Sequence, residues 1–285
     1  MNIPSIRQRP SVVVGNQSLG GGELFLIAGP CVLESRDLCL RIAEELRELA
    51  SSRGVALVFK ASFDKANRTS SSSKRGPGME QGLTWLAEVR EKLELPVLTD
   101  IHLPDQCATV AEVVDILQIP AFLCRQTDLL TAAAETGRVV NVKKGQFLGH
   151  ADMQHAAAKC ESAGNSKVIL TERGNTFGIG RLVVDMTGFQ VLAGFGHPVV
   201  FDATHSVQRP GNGDGTTGGD RALVPAQARA AVATGYVDGL FFEVHPEPDS
   251  SPSDGPNMVP LDEFGGVLDG ILEIHRAVRS VAARE

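Results

Sequence analysis

The chain has 285 residues, 42% hydrophobic, 21% charged and 5% aromatic, a composition that suits a globular fold with a large core and excludes disordered or collagen-like chains. A formal net charge of −7 argues against a surface built for nucleic acid or an anionic membrane, but leaves room for a local basic pocket. Five cysteines, none in a CxxC pair, give neither a disulfide framework nor a zinc ribbon. With no signal-peptide core at the N-terminus and no apolar run near the ~18 residues of a membrane span, the reading is a cytosolic protein.

In chain order, Ser11–Val14, a Gly-Asn pair and Gln17–Leu19 read as a small β-hairpin within an N-terminal extension, residues 1–23, suited to plug the bottom of a barrel. From Leu24 to the C-terminus, short apolar runs alternate with longer amphipathic stretches, as in repeated βα units. The runs are Leu24–Ala28, Ala56–Lys60, Val97–Asp100, Ile116–Ile119, Val139–Val142, Lys167–Leu170, Val199–Asp202 and Gly239–Glu243. They are apolar throughout, as strands buried on both faces require. Helical patterns fall at 37–52, 79–92, 104–114, 128–136, 150–163, 182–193, 222–234 and 261–282. Eight strands with eight following helices predict a single-domain (β/α)8 TIM barrel over residues 24–285, with a doubly wound open sheet as the alternative.

Barrel chemistry sits where strands end, and here nearly every run ends in polar residues. The first leads to Cys31; the second to Lys60, Lys65, Asn67 and Arg68; the third to Asp100 and His102; the fourth carries Gln118. The fifth carries Asn141 and Lys143, the sixth leads to Glu172 and Arg173, the seventh to Asp202 and His205, the eighth to Glu243 and His245. Period two puts Asn141 and Lys143 on one face, opposite Val140 and Val142, so a lysine points inward. Residues 60–75 place five cations among hydroxyls and Asn67 in an otherwise acidic chain, a combination suited to phosphate or carboxylate groups. Lys143, Arg173 and Arg125 add further positive charge.

Cys31, His205, Glu243 and Asp254 follow the first, seventh and eighth runs, which are neighbours once a barrel closes. Thiolate, imidazole and two carboxylates suit a divalent metal ion such as Fe(II), Zn(II), Mn(II) or Co(II). Gly211–Gly219 reads as a lid over the mouth or as a plain loop, and neither it nor Gly178-Ile-Gly180 has the strand–turn–helix context of a dinucleotide fingerprint. His150, His155, His197 and His275, with Cys39, Cys107 and Cys160, read as structural.

The segments IAGPCVLES, FKASFDKANRTS, DIHLPDQ, LQIPAFLCRQTDLL, NVKKGQF, TERGNTFG, DATHSVQRPG and FFEVHPEPDSSPSDGPNM resemble the 3-deoxy-D-manno-octulosonate 8-phosphate synthase family over residues 10–280. The resemblance implies condensation of phosphoenolpyruvate with D-arabinose 5-phosphate in lipopolysaccharide inner-core sugar biosynthesis. KANR separates this family from the related heptulosonate 7-phosphate synthases, which use erythrose 4-phosphate. Carried over, the motifs imply that Lys60, Lys65, Gln118, Lys143 and Arg173 hold phosphoenolpyruvate. Asn67, Arg68 and Thr69 would bind arabinose 5-phosphate, with Arg125 reaching its phosphate from a neighbouring subunit of a homotetramer. Asp100 would lie near the reacting carbons and, with Lys60, Lys65, Lys143 and His205, take part in the chemistry. Cys in place of Asn at position 31 implies the metal-dependent class, with His205, Glu243 and Asp254 as the other ligands. The chain departs from the family's usual pattern at Thr69, at 70–74, after TFG and in the glycine-rich segment. Competing readings are a heptulosonate synthase, a Schiff-base aldolase using Lys60 or Lys143, and a non-catalytic sugar-phosphate binding protein.

Overall fold

The computed structural model describes residues 9–67, 74–210 and 218–284. Arg68, Thr69, residues 70–73 and residues 211–217 of the glycine-rich segment, all singled out above, lie outside the described residues.

The chain opens with the hairpin β1 (Ser11–Val14) and β2 (Gln17–Gly20), turned at Gly15, whose φ of 59° lies where only glycine is at ease. There follow β3 (Phe25–Gly29), α1 (Arg36–Ser51), β4 (Ala56–Lys60), α2 (Met79–Leu93), β5 (Val97–Asp100) and α3 (Gln106–Val113). Next come β6 (Ile116–Ile119), α4 (Thr127–Glu135), β7 (Val139–Lys143), α5 (Met153–Ser162), β8 (Val168–Glu172), α6 (Gly188–Ala193) and β9 (Val199–Asp202). The chain ends with β10 (Gln208–Arg209), β11 (Gly218–Gly219), α7 (Val224–Ala233), β12 (Gly239–His245), β13 (Val259–Pro260) and α8 (Leu261–Ala282). Strands β3 to β9 pair in sequence order, all parallel, and β12 pairs with both β9 and β3, so the sheet closes on itself as a (β/α)8 barrel. None of the helices among the described residues is long and apolar enough to cross a membrane.

Two apolar cores follow from the period of two along each strand. Outward residues such as Val140, Val142 and Leu170 pack against the helices. Inward residues Phe25, Ile27, Val58, Leu98, Ile116, Val139, Ile169, Val200 and Phe241 fill the lower barrel, joined by Val12, Val14 and Leu19 of the hairpin. The hairpin thus closes the bottom, and Arg9 ties it there by a bidentate pair to buried Asp238, at 2.9 and 2.5 Å.

Two residues above this apolar layer, the same inward rows turn polar. Val58 is followed by Lys60, Leu98 by Asp100, Ile116 by Gln118, Val139 by Asn141 and Lys143, Ile169 by Thr171 and Arg173, Val200 by Asp202, and Phe241 by Glu243. All of these polar residues are buried. The switch from apolar to polar along each row creates the site.

The expected helix at 182–193 is reduced to Gly188–Ala193. Asp185 Oδ1 accepts from both N and Oγ1 of Thr187, a turn that competes with helix, and Val183 instead bridges to Asn175. Residues 150–163 divide into a 3-10 turn at His150–Asp152 and α5.

Candidate active site

Residue 29 sets the spacing of the first two strand ends. A Cβ there would lie 2.0 Å from the carbonyl oxygen of Lys60, so only glycine lets β3 and β4 approach this closely. Fully buried Cys31 then lies beside Lys60, whose Nζ donates to the Cys31 carbonyl at 3.2 Å and to Ser62 Oγ at 2.8 Å.

One half of the cavity is a cluster of opposed charges. Lys143 Nζ is 2.5 Å from Asp202 Oδ2 and 3.6 Å from the centroid of the Phe241 ring, which forms part of the floor. Lys60 lies 3.8 Å from both Asp100 and Glu243, and Lys65 lies 3.7 Å from Glu243. Arg173 donates to Gln208 Oε1 at 2.5 Å, and Gln208 Nε2 donates to Asp254 Oδ1 at 2.8 Å. Burial pulls the Lys143 ammonium and the Arg173 guanidinium down, with Asp202 opposing in both cases. Burial would raise Asp202, but His205, Lys143 and Arg173 hold it well below the usual carboxylate range.

In the other half, ligand atoms of Cys31, Glu243 and Asp254 lie within 4.8 Å of one another. The Cys31 thiol donates to Asp254 Oδ2 at 3.2 Å. Asp254 takes the left-handed conformation, φ 55° and ψ 15°, at the start of a 3-10 turn, which bends the loop after β12 back toward Cys31. His205 joins from the side: its Nε2 is 3.4 Å from Glu243 Oε1 and its Nδ1 2.7 Å from Asp202 Oδ2. Burial, then Glu243 and Asp254, drive the Cys31 thiol well above its ordinary value. Both oxygens of fully buried Glu243 lack a hydrogen-bond partner among the described residues. A buried carboxylate left in this state beside a thiol, a second carboxylate and an imidazole fits a divalent cation with mixed sulfur, nitrogen and oxygen ligands.

The sequence-derived residues divide by position. Cys31, Lys60, Lys65, Asp100, Gln118, Lys143, Arg173, His205, Glu243 and Asp254 all meet at the mouth through the contacts above and through Asp100, which accepts from Gln118 and Ser62. Asn67 stands exposed in a turn. Arg125 is exposed in the loop before α4, and among the described residues no ion pair ties its side chain to its own cavity. His150 and His197 pair with carboxylates instead of joining the Cys31 group, at 2.8 Å from Glu172 and 3.3 Å from Glu161. Sequence reasoning did not single out Ser62, Thr171 or Gln208 for the site. Period two from Lys60 and from Arg173 points to the first two, whereas nothing local marks Gln208.

A sequence profile of the DAHP synthetase I family matches residues 7–278. A protein of Rhodopseudomonas palustris named 2-dehydro-3-deoxyphosphooctonate aldolase is 57% identical over 271 residues, covering 94% of either chain. Proteins of the same name from Nitratidesulfovibrio vulgaris and Brucella ovis are 59% identical over 244 residues and 53% identical over 272. The alignments cover 86% of this chain and 89% of the first relative, and 95% and 98% for the second. With one family profile spanning nearly its whole length and more than half of its residues shared with these relatives, the chain belongs to the DAHP synthetase I family, among its 2-dehydro-3-deoxyphosphooctonate aldolases.

Proposed function

We propose that this protein condenses phosphoenolpyruvate with D-arabinose 5-phosphate to give 3-deoxy-D-manno-octulosonate 8-phosphate and phosphate. The observation that carries the reading is the meeting of Lys60, Lys65, Lys143 and Arg173 with the Cys31–Glu243–Asp254 group in one barrel mouth. The name shared by the relatives and the KANR motif at Lys65–Arg68 support it over a heptulosonate synthase.

Phosphoenolpyruvate brings a carboxylate and a phosphate, and the four cations neutralise both while holding the enol in one orientation. C3 of the enol attacks the aldehyde of the sugar as water adds at C2. The resulting hemiketal phosphate collapses with C–O cleavage, which releases inorganic phosphate. Lys143 and Arg173, buried and fixed by Asp202 and Gln208, stay directed at the charge that moves during these steps. Asn67, Arg68 and Thr69 are assigned to arabinose 5-phosphate.

Cys31, His205, Glu243 and Asp254 would hold one divalent ion, of zinc, iron, manganese or cobalt. When bound, such an ion supplies Lewis acidity toward the aldehyde or water. Phe122, Phe147, Phe177 and Ile179, each more than half exposed, lie in the loops after β6, β7 and β8, and Arg125 lies in the first of these loops. A rim of this kind suits burial against another copy, and supports a homotetramer in which Arg125 reaches a neighbour's sugar-phosphate site. Five unpaired cysteines suit a reducing cytoplasm.

The test is phosphate release from phosphoenolpyruvate with each aldose. Turnover with arabinose 5-phosphate and little with erythrose 4-phosphate is expected. The reverse preference, or ligand binding without phosphate release, overturns the proposal.

A further inference from the structure

Five buried side chains and one lysine form a single directed chain across five neighbouring strands. Lys60 Nζ donates to Ser62 Oγ at 2.8 Å, and Ser62 donates in turn to Asp100 Oδ2. From the other side Thr171 Oγ1 donates to Asn141 Oδ1 at 2.6 Å, Asn141 Nδ2 donates to Gln118 Oε1 at 2.8 Å, and Gln118 Nε2 donates to Asp100 Oδ1. Register puts Asp100 opposite Gln118 and Gln118 opposite Asn141, so the links are cross-strand neighbours.

The direction of every bond is dictated by the ends. An ammonium only donates, so Ser62 must accept from Lys60 and is left with one proton to give to Asp100. An ionised carboxylate only accepts, so Gln118 must present its nitrogen to Asp100 and its oxygen to Asn141. Asn141 must then present nitrogen to Gln118 and oxygen to Thr171, whose hydroxyl completes the chain. Turning either amide over would set two oxygens at hydrogen-bond distance. Ser62, Asn141 and Thr171 are fully buried and Gln118 nearly so, so water cannot substitute for a missing link.

We infer that Thr171 and Asn141 are positioning residues for the condensation: they lock the amide of Gln118, and through it fix the direction of the Asp100 carboxylate. The charged groups that face Asp100 are Lys60 at 3.8 Å, with Lys65 and Lys143 further out, and the titratable imidazole of His102 also faces it. Burial would raise the Asp100 carboxyl, but Lys60, Lys65 and the Ser62 hydroxyl hold it far below the ordinary range. Asp100 therefore serves as a fixed negative charge rather than as a proton acceptor. Among the described residues the Thr171 hydroxyl bonds only to Asn141, two links beyond Gln118.

This inference rests on the condensation proposed above, and the experiment separates the two. Phosphate release from phosphoenolpyruvate and arabinose 5-phosphate is measured for wild type, Thr171→Val and Thr171→Ser. Valine keeps the volume and removes the donor, which leaves a buried acceptor unpaired. A kcat about tenfold lower is expected, with KM for both substrates within about twofold and near-complete recovery in the serine variant. An Asn141→Asp variant, which places oxygen against Gln118 Oε1, should show the same fall in kcat with little change in KM, and gives the answer if the valine variant does not fold. A wild-type kcat in folded Thr171→Val or Asn141→Asp overturns the relay, as does an equal loss in the serine variant. No turnover by wild type overturns the condensation itself.

Discussion

Behind the cavity, the neighbours of two cavity-facing cations form a buried ion pair of their own. Lys144 and Glu172 adjoin Lys143 and Arg173 and face the other way, as the alternation along a strand requires. Lys144 Nζ is 3.4 Å from Glu172 Oε2, both side chains are fully buried, and His150 Nε2 is 2.8 Å from the same oxygen. The attraction at that separation is about 5 kcal/mol with an effective dielectric of ~20. In Glu172→Gln the lysine keeps Asn175 Oδ1 at 2.6 Å and two backbone carbonyls at 3.2 Å. Burial pulls Lys144 down against the opposing pull of Glu172, so losing the carboxylate lowers the lysine further and limits the loss. A net destabilisation of about 2–3 kcal/mol is expected, which lowers Tm by roughly 5 °C for a domain of this size. Because the pair anchors the ends of β7 and β8, the KM for phosphoenolpyruvate should rise about fivefold, near 1 kcal/mol. Adding Lys144→Met should restore most of the stability, since no unpaired charge remains. Thermal melts and initial rates decide the matter. A Tm within about 1 °C of wild type together with an unchanged KM would refute the buttress.

Two further outcomes follow from other buried groups. Cys31→Ala should lower bound divalent metal from about one ion per chain to a trace, and apparent affinity in wild type should rise with pH, because a thiol held above its ordinary value must lose its proton to ligate. Chelator competition at two pH values checks this, and a pH-independent affinity contradicts it. Burial lowers His102, His197 and His275, so they stay neutral in the folded chain while the unfolded chain takes up protons below about pH 6.5. The unfolded state then binds more protons, and stability falls on going from pH 7.5 to 5.5, by less than about 1.4 kcal/mol per histidine. Urea midpoints that stay flat over that interval would contradict it.

Much of this site was legible in the sequence because barrel strands repeat a simple rule. Each inward row changes from aliphatic to polar at its C-terminal end, so Lys60, Asp100, Gln118, Lys143, Arg173 and Glu243 announce themselves by position. The hairpin could be read from turn chemistry and eight βα units from the count of runs, but closure against an open sheet rests on the pairing of β12 with both β3 and β9. Gln208 could not, because its value lies in spanning from Arg173 to Asp254, 35 positions in one direction and 46 in the other. Nor could the shortening of the helix at 182–193, where an aspartate and a threonine two apart outcompete an amphipathic pattern. Asp202 was visible as a strand end, but its pairing with both Lys143 and His205 depends on packing across the cavity.

That pairing also explains how an acidic protein can receive two anionic substrates. The mouth sets Lys60, Lys65, Lys143 and Arg173 against Asp100, Asp202, Glu243 and Asp254, four charges of each sign, so the cations are compensated before any substrate arrives. Binding a phosphate or carboxylate is then an exchange of partners rather than the creation of new ion pairs. Such an exchange gives less affinity than bare cations would, but the carboxylates hold the cations aimed, which a cluster of unopposed lysines would not do for itself. The proposed metal ion adds two positive charges, less one for the proton the thiol gives up. A balanced cavity thereby becomes a net positive one, inside a chain whose total charge is −7.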